Sequence, residues 1–160
     1  MTVKTLKQSL VKTILLTGLL CGTLDALAAI IFSRKVPAAT IFKYIASGLA
    51  GKTAGDGGTL MVLYGVLIHY LIALVFTFAF LKLYPFFIGL FRNKILLAFV
   101  YGLIIFVVMN MIVVPYLSRI ITKPLQLLGS IKNWLTLVAA FGFPIVFIAG
   151  KFFQEVMKQR

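Results

Sequence analysis

The chain has 160 residues, 62% of them hydrophobic, and a mean hydropathy of +1.10, well above the ~45–50% apolar usage of soluble domains. Its 16 basic and 3 acidic residues give a net charge of +13. The basic groups are scattered at the ends of apolar runs, which argues against a nucleic-acid surface and suits anionic lipid headgroups. A single cysteine, Cys21, excludes an intrachain disulfide, and no metal cluster is spelled.

Taken in order, a short basic start with Lys4, Lys7 and Lys12 leads into an apolar run over 13–32. A basic start, an apolar stretch and Ala26-Leu27-Ala28 resemble a signal peptide. Asp25 inside the run and its full length favour a retained membrane span. Leu20 before Cys21 breaks a lipoprotein box. Gly18, Gly22, Asp25 and Ala29 fall on one side of a helix, and the Gly18-x-x-x-Gly22 spacing lets another helix approach closely.

The connection over 33–57 opens with Arg34 and Lys35 at a membrane edge. Pro37 suits the first position of a helix. Ile41, Phe42, Ile45 and Leu49 then share a face, which predicts a short helix over Ala38–Ala50, too short to span, lying on the interface or dipping into it. Ala46 to Thr53 imitates a relaxed phosphate-binding loop. The strand before it and the second carboxylate for magnesium are missing, so the stretch reads as a glycine-rich helix stop.

The run 58–81 carries no Asp, Glu, Lys or Arg and holds the only histidine, His69. At ~1.5 Å per residue its helix crosses a ~30 Å hydrocarbon core. Gly65, His69, Ala73 and Thr77 recur four apart. Tyr84-Pro85 is expected to end this span, and 86–94 to form a basic turn. A third span covers 95–117, with Gly102 as a close-packing point, Asn110 as a polar interruption and Pro115 as a kink or stop. A second interfacial connection over 118–130 precedes a fourth span over 131–153, which Gly142 and Pro144 interrupt.

Lipid requires every backbone polar group to find an internal partner, and the runs lack the alternation of a barrel. The expected fold is therefore all-α: one polytopic transmembrane domain of four spans plus a short interfacial helix. Four spans put both termini on one side, with nine basic residues there (Lys4, Lys7, Lys12, Lys82, Arg92, Lys94, Lys151, Lys158, Arg160). The other side has seven (Arg34, Lys35, Lys43, Lys52, Arg119, Lys123, Lys132). That bias points to cytoplasmic termini.

Measured from the termini side, Asp25 lies roughly 16 Å deep, His69 roughly 18 Å and Asn110 roughly 22 Å. Polar groups from three helices thus share one zone near mid-membrane. A charged Asp at a helix centre costs ~2.5–3.5 kcal/mol, so a partner is expected. An Asp25/His69 pair could titrate near physiological pH, as histidine does. The alternative is that the cluster only joins helices, at ~0.6–2 kcal/mol per hydrogen bond.

The stretch from His69 to Phe76, with Gly65 before it and Tyr84-Pro85 after it, resembles the YagU-like bacterial inner-membrane proteins. So does Asn110 to Pro115 after Tyr101-Gly102. The resemblance spans about 58–150 and implies a small polytopic inner-membrane protein. Family members can carry His at the position of Asn110 and another in the last span. This chain has neither, so the resemblance implies no multi-histidine relay here.

The functional expectation is a small inner-membrane protein that responds to, or moves, protons or a small solute. Asp25 and His69 form the titrating pair and Asn110 is their polar neighbour, with Gly18, Gly22, Gly65 and Gly102 packing the helices. The alternative is a structural or partner-binding membrane protein. No catalytic residue, metal or cofactor is expected. The expected partners are the lipid bilayer with its anionic headgroups and a second copy or another membrane protein.

Overall fold

A computed structural model describes residues 3–33, 35–51, 56–117 and 127–158. It is 93% helical, and among the described residues there is no strand. Helix α1 covers Val3–Phe32, α2 Ala38–Ala50, α3 Thr59–Phe91 and α4 Lys94–Val107, which continues as a π-helical segment over Val108–Leu117. The last span comprises α5 (Leu127–Leu137), a π-helical turn (Val138–Gly142) and α6 (Phe143–Lys158). Four of these stretches are long and apolar enough to cross a membrane: Gln8–Phe32, Thr59–Phe91, Lys94–Val114 and Leu127–Lys158. Arg34, Lys52, Arg119, Lys123 and Arg160 from the charge count, and most of the second connection, lie outside the described residues.

The exterior is what a bilayer requires. Along α3, Leu60, Leu67, Leu71 and Val75 are 72%, 68%, 61% and 58% exposed. Water does not tolerate an apolar face of that extent, whereas lipid tails do. The interior combines aliphatic side chains such as Leu81, Leu97, Ile105 and Ile145 with aromatic and small ones. Tyr101 of α4 sits at its middle, its ring 4.3 Å from that of Phe80 and its hydroxyl donating to the Phe76 carbonyl at 2.6 Å.

Glycines set the helix crossings. At Gly102 an added Cβ would lie 2.9 Å from the Val138 backbone, and at Gly142 it would strike the Ala98 carbonyl. The third and fourth spans therefore touch backbone to backbone, at the point where the fourth widens into its π-helical turn. Gly142 and Pro144 do not interrupt that span. The helix absorbs them through the wider turn, as membrane helices do when neighbours re-satisfy the backbone.

The expected end of the second span at Tyr84-Pro85 needs correction. Helix α3 runs through Pro85 to Phe91. A proline forfeits one backbone hydrogen bond, and aromatic packing on either side offsets it. Tyr84 stacks on Phe153 at 5.2 Å, and Phe87 stacks on Phe80 at 6.0 Å. The basic turn shrinks accordingly to Arg92 and Asn93. Arg92 adopts a left-handed φ of 52° and closes α3 through its N–H to the Ile88 carbonyl at 2.9 Å. The Asn93 side chain then accepts from the N–H groups of Ile95 and Leu96 at 2.8 and 3.2 Å, capping α4.

Helix α2 occupies its expected range, Ala38–Ala50. It folds back along α3, with the Phe42 backbone pressed against Gly65. Its buried residues are Ala46 and Gly48, while Leu49 of the apolar stripe is 54% exposed. Between helices in lipid, small residues permit backbone approach and large apolar ones lose nothing by facing outward. Gly51, at a φ of 78°, stops α2 through its N–H to the Ser47 carbonyl at 2.9 Å. Ser47 and Gly48 are thus helical, and the phosphate-loop imitation is a helix end; Lys52 and Thr53 fall outside the described residues.

Candidate functional site

The small faces of α1 and α3 meet. A Cβ at Gly18 would lie 2.6 Å from the Leu74 side chain, and one at Gly22 would lie 3.0 Å from the Tyr70 ring and 3.1 Å from the Ala73 Cβ. Only a residue without a side chain admits that approach. It exposes the Gly22 carbonyl to the neighbouring helix, where His69 Nε2 stands 2.8 Å away. A carbonyl oxygen only accepts, so Nε2 carries the hydrogen. One residue further along each helix, Thr23 and Tyr70 join their hydroxyls at 2.9 Å.

The imidazole is held on two further sides. The Phe42 ring of α2 meets it edge-on at 6.1 Å, and the Tyr70 ring does so at 5.5 Å. His69 is therefore the junction of α1, α2 and α3. It lies ten residues into α3, roughly 15 Å along the helix axis.

Asp25 follows Gly22 by three residues on the same side of α1 and is half-buried. It lies within electrostatic reach of His69 and of Cys21, yet no ion pair within 4.0 Å joins it to the imidazole. The chemistry available at this spot is limited and specific. With Nε2 committed to Gly22, a neutral imidazole keeps Nδ1 as a hydrogen-bond acceptor.

Asn110 is tied within the third span. It lies in the π-helical segment of the third span, and its Nδ2 donates to the Phe106 carbonyl of its own helix at 2.9 Å. Cys21 is fully buried in the core. Among the described residues there is no group of His, Cys, Asp and Glu fit to hold a metal.

Sequence reasoning passed over three contributors. Tyr70 and Thr23 form the second cross-helix bond, and Phe42 supplies the third wall. The spacing of Thr23 and Tyr70 from Gly22 and His69, one residue further along each helix, was the available signal. Gly142, which the sequence suggests as an interruption, works with Gly102 as a crossing point.

No family model, curated protein or solved structure matches this chain.

Proposed function

We propose that the chain is a multi-pass protein of the bacterial inner membrane whose Asp25/His69 pair handles a proton, either as a pH response or in proton- or small-solute-linked transport. The supporting observation is the bond from His69 Nε2 to the Gly22 carbonyl, with Asp25 one turn further along the same helix. Nε2 keeps its hydrogen in both charge states of the ring. A proton therefore arrives at or leaves Nδ1 and Asp25 while the helix contact is kept. What changes is the attraction between α1 and α3. The groups that face the ring are the Gly22 carbonyl and, within electrostatic reach, Asp25 from α1, Tyr70 from α3, and the uncharged ring of Phe42 from α2.

The basic residues at the span ends support cytoplasmic termini and contact with anionic headgroups. The resemblance to YagU-like proteins supports the inner membrane. Neither a catalytic residue nor a cofactor is assigned. A second copy or another membrane protein is the protein partner.

A second reading has its own support. Three surface clefts are lined by residues other than His69, Asp25 and Asn110, and the Asn110 amide bonds within its own helix. In that reading the polar groups only fix helix packing. Spin labels on α1 and α3 of the reconstituted protein separate the two. A distance that shifts between pH 5 and 8 in the wild type and stays fixed in Asp25→Asn supports proton handling. A distance that ignores pH leaves packing as the role. Proton uptake into dye-loaded vesicles then distinguishes transport from a response without flux.

A further inference from the structure

Helix α1 and the last span touch at Val138–Gly142 and along α6, but they part toward the C-terminal end of α1, where α5 passes. The parting leaves an open cleft of about 700 Å³, within the ~300–1,000 Å³ range of small-molecule sites. Leu27, Ile31, Leu128 and Leu135 make its walls, with Ala28 and Ala139 where the two helices face each other. The one hydroxyl in the wall, on Thr136, is committed to the Lys132 carbonyl at 2.9 Å, so the cleft presents hydrocarbon.

Its end is different. A second cleft of about 520 Å³ shares Ile31, Phe32 and Lys132 with the first and adds Ser33 and Lys35. The Lys132 ammonium stands 4.4 Å from the centre of the Phe32 ring, which holds it at the mouth. Two lysines and a serine thus close an apolar groove at a membrane edge, and neither cleft is lined by an Asp or a Glu.

We infer that this groove is a binding site for one anionic phospholipid, an acyl chain lying between α1 and α5 and the headgroup phosphate against Lys35 and Lys132. Charge selects the occupant. A zwitterionic headgroup brings its own ammonium toward two lysines, whereas a phosphatidylglycerol brings only negative charge. The site is independent of the Asp25/His69 junction and lies in the leaflet opposite the termini.

Native mass spectrometry of the full chain from neutral detergent, with equal amounts of phosphatidylglycerol and phosphatidylcholine added, tests it. The wild type is expected to retain one phosphatidylglycerol in preference. Lys35→Gln with Lys132→Gln lowers that preference roughly tenfold or more, the effect of two lysines near a charged surface. Ala139→Phe, which fills the groove, removes retention of both lipids. Lys151→Ala, an exposed lysine outside the clefts, behaves as the wild type. Circular dichroism confirms that each variant is folded, and Lys132→Gln alone replaces the double variant if the latter is not. Equal retention of both lipids by the wild type overturns the site. So does an unchanged preference in the lysine variants, an equal loss in Lys151→Ala, or a dimer that Ala139→Phe disperses without altering lipid retention.

Discussion

His69 on α3 donates its Nε2 hydrogen to the backbone carbonyl of Gly22 on α1 across 2.8 Å. The donor needs a histidine reaching sideways from its helix, and the acceptor needs a residue with nothing in the way. Replacing His69 by Phe keeps the ring contacts with Phe42 and Tyr70 and removes the bond. The expected loss is ~0.6–2 kcal/mol, read as a lower midpoint in detergent unfolding. His69→Gln, which can still donate, is expected to recover part of it.

Asp25→Asn is expected to fold as the wild type does, because the amide keeps the shape and the hydrogen-bonding capacity, and to erase any pH dependence of the α1–α3 distance. Asp25→Leu is expected to impair assembly more, since it removes the polar neighbour of a half-buried imidazole. Oligomer-resolved size exclusion and the spin-label distance measure the two effects. Asp25→Asn with an intact pH response would remove Asp25 from the proposed pair.

Glycine substitutions should differ in sign according to what stands nearby. At Gly65 a Cβ meets the carbonyl of Phe42, which is backbone and cannot turn aside. Gly65→Ala is expected to cost about 1–3 kcal/mol. Gly89 lies in the same helix with nothing within 4 Å. Gly89→Ala is expected to stabilise, by up to about 1 kcal/mol from helix propensity. Parallel unfolding curves for the two variants test the backbone contact between α2 and α3.

Asn93→Ala removes the side-chain acceptor that serves two N–H groups at the start of α4. A loss of about 0.5–2 kcal/mol is expected. Hydrogen exchange at Ile95 and Leu96 should rise before exchange elsewhere in α4.

A reporter fused after Gly51 is expected on the side opposite the N-terminus, and one inserted between Arg92 and Asn93 on the same side as the termini. The same side for Gly51 and the N-terminus would rule out a retained first span.

The four spans were legible because length and the absence of charge are properties of each run by itself. The small faces Gly18/Gly22 and Gly65/Ala73/Thr77 were legible for the same reason, since spacing of four on a helix needs no partner to be seen. Helix orientation was harder. Along α2 the apolar stripe meets α3 through Phe42, but the residues buried most deeply are Ala46 and Gly48, which the stripe does not include. A hydrophobic stripe marks the inside of a soluble protein, but between helices in lipid it carries no such meaning. Pro85 misled for a related reason: its cost is local, while the packing of Tyr84 and Phe87 that offsets it involves Phe153, Phe80 and Tyr101. Depth puts Asn110 in the zone of Asp25 and His69 but leaves rotation about the axis undetermined, and the bond of its amide to the Phe106 carbonyl was not legible in the spacing.

The fit of Phe42 against Gly65 also bears on biogenesis. At 13 residues, α2 cannot cross the bilayer alone, and its small face has no mate until α3 has been made. On a growing chain, α2 therefore leaves the ribosome as an incomplete element that must wait near the lipid surface until Gly65, which comes after Ala50 in the sequence, has followed. Only when Gly65 emerges does the pair become a helical hairpin that can sink together. Synthesis paused between Gly51 and Gly65 would leave Ala46 and Gly48 exposed, and that nascent stage is where a membrane-protein quality-control protease should find its substrate.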